Sequence, residues 1–320
     1  MGSWSVHLTT NKDQIQAFLR RDPVYAAYAI GDLEPEHFPF CTWYLAEASK
    51  QPSALALLYR RLEPPVLLTM GETTGIAAIF DEVALPQHVY MAALGAHLQV
   101  FEAHYDFSGD RIRPMLRMNL APEACQTVCK LPANATPRRL SSADVPAIEA
   151  LYAAGGPFAP DAFSPSQVAE GTFFGLEGQA LGHMKRGPLI AVAGTHLVAP
   201  TMGVAAVGNI YTHPAQRGKG YGQLVTSAVT EDLLKRNLLV VLNVDESNTA
   251  AVHLYEKLGY RVHCPFVEGG GRRRTADGGQ RSEVRGQGLP PAVAGLPSAV
   301  VGLPSAVNDQ QTCQNRYQLT

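Results

Sequence analysis

Val204-Ala-Ala-Val-Gly-Asn-Ile-Tyr-Thr212, followed by His213-Pro-Ala-Gln-Arg217-Gly218-Lys219-Gly220-Tyr221-Gly222, is the stretch from which the fold can be read. Its first part is apolar and rich in β-formers, which predicts a central strand. Its second part holds three glycines and two cations. Beyond it, Leu224, Val225, Ala228, Val229 and Leu233 predict an amphipathic helix ending near Asn237. Leu238-Leu-Val-Val-Leu-Asn-Val244 lacks alternation, as expected of a strand covered on both faces. Asn248 to Leu258 reads as a short helix with Ala251, Leu254, Tyr255 and Leu258 on one face. Gly259 stops it, and Tyr260-Arg-Val-His starts another strand.

A strand, a Gly-rich loop and a helix in that order make an anion cradle. Glycines let backbone amides approach a ligand, and the helix start has unbonded N–H groups and a partial positive charge. Arg217 and Lys219 add charge suited to phosphate. The spacing narrows which phosphate. There is no G-x-x-x-x-G-K-[ST], which argues against a P-loop. The glycines run G-x-G-x-G rather than G-x-G-x-x-G, which argues against a dinucleotide fold.

Arg217-x-x-Gly220-x-Gly222, then Asn248-x-x-Ala251-x-x-x-Tyr255-x-x-x-Gly259-Tyr260, resembles the GNAT superfamily of acyl-CoA-dependent N-acyltransferases. The resemblance spans about residues 137 to 267 and is sharpest over 208 to 260. It implies an α/β (α+β) fold, a mixed and mostly antiparallel sheet flanked by helices. It also implies acetyl-CoA as co-substrate, with no metal. The pyrophosphate would sit on Arg217, Gly218, Lys219, Gly220, Tyr221 and Gly222. The pantetheine arm would lie along Ile210, Tyr211 and Thr212 like an added strand. Asn248 would touch the pantetheine, and Tyr255 would protonate the departing thiolate. The bland alternatives are that Asn248 only caps its helix and that Tyr255 is a packed core aromatic.

The reaction so implied is direct attack of an amine on a thioester, with the amine losing a proton to a base. Many family members carry a Glu on the strand before the loop, but Gly203 to Thr212 holds no carboxylate. Glu170, Glu177, His196 and His213 are the candidate bases. Cys264 reads as a buried thiol rather than a nucleophile. The missing carboxylate keeps a second reading open, a catalytically inactive acyl-CoA-binding regulatory module.

The 320 residues suggest two domains. With 46% hydrophobic and 17% charged residues the chain can bury a sizeable core. A net charge of −2 excludes a global basic field for nucleic acid, although Arg272 to Arg274 could form a local patch. The five cysteines form no disulfide framework, and Cys125 and Cys129 have no second pair at zinc spacing. The N-terminus lacks a secretory h-region. Leu189 to Tyr211 is long enough to span a bilayer, but its Gly, Pro, Thr and Val content predicts two strands joined by Pro200-Thr-Met-Gly203. A cytoplasmic protein without membrane or nucleic-acid partners is expected, a monomer or homodimer acting on a small-molecule or peptide amine.

Residues 1–130 and 135–267 read as globular, and both open with a strand end, a polar cap and an amphipathic helix (Leu8–Leu19 and Leu140–Leu151). This predicts a tandem duplication whose first half is degenerate, since it lacks R-x-x-G-x-G. Asp22 to Leu33 resembles the N-terminal part of bacterial two-domain acetyltransferases. That half would lack a cofactor site and help wall the acceptor cleft. Residues 268–320, with three heptads beginning Leu289-Pro, Leu296-Pro and Leu303-Pro, read as a low-complexity, disordered tail.

Overall fold

A computed structural model of the chain describes residues 3–107, 112–126, 136–160, 163–179 and 186–274. The first half contributes β1 (Ser5–Thr9), α1 (Lys12–Leu19), α2 (Ala27–Gly31), β2 (Cys41–Ala48), β3 (Gln51–Tyr59) and β4 (Val66–Gly71). It continues with α3 (Thr73–Glu82), β5 (His88–Ala93), α4 (Leu98–His104), β6 (Tyr105–Asp106) and β7 (Arg113–Leu120). The second half contributes β8 (Arg138–Arg139), α5 (Val145–Tyr152), α6 (Pro165–Glu170), β9 (Phe174–Glu177) and β10 (Leu189–Ala199). It ends with β11 (Val204–Thr212), α7 (Tyr221–Lys235), β12 (Leu239–Asp245), α8 (Thr249–Lys257) and β13 (Arg261–Arg273).

The expected elements around the Gly-rich stretch are present. Gly259 adopts φ +99°, a conformation that favours glycine, and ends α8 as its position suggested. Leu189 to Thr212 forms the antiparallel pair β10–β11, joined at Pro200–Gly203. No helix among the described residues is long and apolar enough to cross a membrane. The matching starts are real: Asn11 caps α1 through Asp13 and Gln14 N–H, and a Ser141–Asp144 capping box precedes α5.

The strands form one sheet in the order β1-β2-β3-β4-β5-β13-β7-β12-β11-β10-β9-β8, with β6 on β13. Two pairs are parallel, β4–β5 and β11–β12, and the rest are antiparallel. Each half repeats a plan in which a helix (α3 or α7) crosses over between its parallel pair. The final strands are exchanged. β7 of the first half lies against β12, and β13 of the second half lies against β5.

This exchange corrects the reading of residues 268 onward. Glu268 to Arg272 pair with Ala92 to His88 of β5, so the start of the expected tail is interior strand. A composition-based boundary misses it because Gly269, Gly270 and Gly271 resemble a linker. The strand packs closely there, and a side chain at Gly271 would meet the Phe107 ring. Residues 275–320, including the heptads, lie outside the described residues.

Glu268 is fully buried at this seam. Tyr90 donates a hydrogen bond to its Oε2 at 3.1 Å, and Arg113 stands 3.5 Å away. Burial pushes its carboxyl from 4.5 up to about 7, against the pull of Arg113 and Arg117. The folded protein therefore keeps a proton that the unfolded chain releases above about 4.5. Glu268 favours folding fully below that pH, and the contribution is lost as pH rises through about 7. Glu268→Gln is expected to flatten this slope, read as a smaller difference in Tm between pH 5 and pH 8.

The sheet is covered on both faces. On one, α7 and α8 pack over Ala205, Val207, Val240, Leu242 and Val244. On the other, α1 and α2 pack over Leu197, Ala206, Val241 and Phe266, with α5 further along. Hence β12 is apolar from Leu239 to Leu242 and again at Val244. The first half thus reaches onto the second: Gly31 of α2 lies so close to β10 that a Cβ would strike Leu197. Glu34 accepts hydrogen bonds from Thr201 and Met202 N–H, which fixes the β10–β11 turn.

Candidate active site

The parallel register of β11 and β12 runs from Val204–Leu239 to Val207–Leu242 and then stops. Both strands continue, to Thr212 and Asp245, so they part beyond Val207. Asn209 sits at the parting with φ +54°, and the register against β10 slips there, forming a bulge. Asparagine tolerates this left-handed conformation better than most residues. Ile210, Tyr211 and Thr212 follow along the opening, Tyr211 and Thr212 paired with Val192 and Ala191 of β10 on their other side.

The loop from His213 to Gly220 lies beyond them. Gly218 (φ +78°) and Gly220 (φ +81°) need glycine's freedom, and a Cβ on either would meet nothing within 4 Å. Gly220 caps α7. The first bond of that helix runs from Leu224 N–H to Gly220 C=O, leaving Tyr221, Gly222 and Gln223 N–H without intrahelical acceptors. Gly222 lets three elements meet: a Cβ there would stand 3.1 Å from Thr212 Oγ1 and 3.3 Å from Leu254 of α8. Arg217 donates from Nε to Thr212 C=O at 3.2 Å and lies over the Tyr211 ring. Lys219 Nζ donates to Gln216 Oε1 at 2.8 Å. Six candidate phosphate residues and three candidate pantetheine residues thus form one continuous rim.

Tyr255 reaches the same region from α8, and Asn248 stands at the start of that helix. Asn248 caps that helix, its Oδ1 accepting from Ala251 N–H at 3.2 Å. Tyr255 is buried among the residues that pack with Ile210 and Val244, its ring 6.0 Å from that of Tyr260. Burial raises its hydroxyl far above the ordinary tyrosine value, so it stays protonated.

The candidate bases separate clearly. Glu177 is tied to Arg138 at 2.6 Å, and Glu170 is exposed at the end of α6. His213 caps its own turn through Ala215 N–H. Only His196 of these four lies at the parting of the strands. Its ring covers Gly208, where an ideal Cβ would fall 2.3 Å from Nε2. Its Nδ1 is 3.3 Å from the Tyr28 hydroxyl of α2. Arg117 of β7 stacks on the same Tyr28 and on Phe266, fully buried, with no hydrogen bond from its guanidinium. The sequence did not point to Tyr28 or Arg117. The only hint was Gly208, since glycine inside a strand marks a close approach.

The matching place in the first half is closed. β4 ends at Gly71 and α3 begins at Thr73, so no loop intervenes. His97 bridges Thr69 Oγ1 and Gly71 C=O, both at 2.9 Å, and Tyr25 donates to Thr69 C=O. These side chains take up the edge that an added strand would use. Among the described residues no cluster of His, Cys, Asp or Glu could hold a metal.

A parallel pair that parts beside a Gly-rich loop and a bare helix start defines the GNAT class of fold. Residues 181–267 match the FR47-like protein family. The chain is 29% identical over 181 residues to the mycothiol acetyltransferase of Renibacterium salmoninarum, covering 52% of this chain and 53% of that one. It is 40% identical over 81 residues to the mycothiol acetyltransferase of Thermobispora bispora, 24% of this chain and 28% of that one. It therefore spans about half the length of the curated relatives it matches, or less. An acetyltransferase of Sphaerobacter thermophilus related to GCN5 superposes with a TM-score of 0.52 at 17% identity, over 86% of this chain and 97% of that one. A tandem GNAT protein from the clavulanic acid biosynthesis pathway gives 0.51 at 14% identity, over 86% and 100%. The chain thus has the GNAT fold, built twice.

Proposed function

We propose that this protein transfers an acetyl group from acetyl-CoA to a primary amine, using only the site in its second half. The reading is carried by one observation, the parting of β11 from β12 beside the His213–Gly220 loop. The diphosphate lies on amides of residues 217–222, and the pantetheine runs along Ile210 to Thr212 toward the bulge. An amide of that strand faces the thioester oxygen as it gains charge. The amine nitrogen bonds to the acyl carbon, the C–S bond breaks, and Tyr255 gives its proton to the leaving sulfur. Relatives named mycothiol acetyltransferases favour a small-molecule amine over a peptide as acceptor. The free thiols of Cys41, Cys125 and Cys264 suit the reducing cytoplasm.

Turnover of acetyl-CoA against a panel of amines, followed by release of thiol, tests this directly. Tyr255→Phe is expected to lower kcat about 10²-fold, the low end for a general acid, with acetyl-CoA binding retained. The second reading, an acyl-CoA-binding module without catalysis, is favoured by the lack of a carboxylate on β11. It requires thermal protection by acetyl-CoA with no turnover on any amine.

A further inference from the structure

We infer that His196, held by Tyr28 of the first half, takes the place of the missing strand carboxylate and receives the proton of the attacking amine. The inference rests on the acetyl-transfer reading above. β11 offers no acidic side chain, and at Gly208 it offers no side chain at all. The volume in front of Gly208 is filled from the neighbouring strand by the His196 ring, its Nε2 nearest. Gly208 is the first residue beyond the last parallel pair, at the apex of the opening. The two proton-handling groups then stand on opposite faces of the sheet. Tyr255 packs on the face of α7 and α8, and His196 meets Tyr28 on the face of α2. In this scheme the amine nitrogen is placed at Nε2 beside Gly208, with the sulfur toward Tyr255.

Packing around the ring holds its pKa down at about 3, so it stays neutral. A neutral imidazole has one acceptor nitrogen. Proton transfer in the proposed scheme uses the tautomer in which Nδ1–H donates to the Tyr28 oxygen, which leaves Nε2 as the acceptor. It accepts an N–H from the amine and orients the nitrogen lone pair toward the acyl carbon. As the C–N bond forms, the proton passes to Nε2; because packing disfavours the imidazolium, the ring holds that proton only transiently. Tyr28 is a positioning residue in this scheme, since it holds the ring at Nδ1 and touches no substrate.

The test combines kinetics with a binding signal. His196→Ala is expected to lower kcat about 10²-fold or more, without loss of thermal protection by acetyl-CoA. Free imidazole in the assay should restore part of the rate in that variant and none in the unchanged protein. Where no amine in the panel is accepted, the slow hydrolysis of acetyl-CoA by water provides the rate. A folded His196→Ala protein that keeps its rate, or loses it without imidazole rescue, overturns the assignment. Where that variant fails to fold, the unchanged protein is decisive. The His196 ring proton resonances should move with acetyl-CoA and much less with CoA, and a ring that does not respond overturns the assignment. Absence of any protection by acetyl-CoA would instead defeat the acetyl-transfer reading itself.

Discussion

Gly220→Glu abolishes the protection against heat that acetyl-CoA gives. At a concentration a hundred times Kd, a ligand bound only to the folded state stabilises it by about 2.7 kcal/mol, and the whole of that increment should vanish. The carboxylate would project at the cap of α7, where the diphosphate is expected. It would repel the ligand and occupy its place. No atom lies within 4 Å of a Cβ at this position, so the unliganded fold has room for the side chain. The φ of +81° still adds a conformational cost of about 1–2 kcal/mol for any residue but glycine. Gly220→Ala carries that cost without the charge and separates the two effects. It should melt lower than the unchanged protein yet retain a response to acetyl-CoA. Thermal shift with and without the ligand reads both. A full response in Gly220→Glu would remove the diphosphate from this loop.

Ending the chain after residue 267 prevents folding of the first half. The cut removes the pairs from Glu268–Ala92 to Arg272–His88 and those of β6 with Arg272 and Arg273. It leaves β5 with an open edge and Arg113 without its carboxylate partner at the seam. An interior strand replaced by water costs several kcal/mol, against a total stability of about 5–15 kcal/mol for a domain. A chain ended after Arg274 keeps every one of these pairs and is the control. Circular dichroism melts distinguish the two. Equal Tm values would mean that the exchanged strand contributes nothing to stability.

The sequence was legible where local rules and tertiary packing agree. The strand, loop, helix and strand from Val204 to Val244 follow from apolar runs and glycines, which the surrounding layers reinforce. The capping of α8 by Asn248 was readable for the same reason. Legibility ended where position depends on distant residues. Glu268-Gly-Gly-Gly looks like a linker, because nothing local says that β5 and β7 will flank it. Tyr28 and Arg117 look like core and surface residues until topology brings α2 and β7 beside β11 and β12. Of the four candidate bases, residue type alone could not choose. The choice came from a contact between neighbouring strands, His196 over Gly208.

The exchanged strands also set a timetable for biosynthesis. β5 ends at Ala93, but the strand that closes it ends at Arg273, 180 residues later. At about 5–20 residues per second, the ribosome takes roughly ten to forty seconds to supply it. Throughout that interval the nascent first half carries an unsealed β-edge, the kind of surface to which chaperones and neighbouring chains bind. Only when nearly the last described residue has left the exit tunnel can the first half complete its sheet.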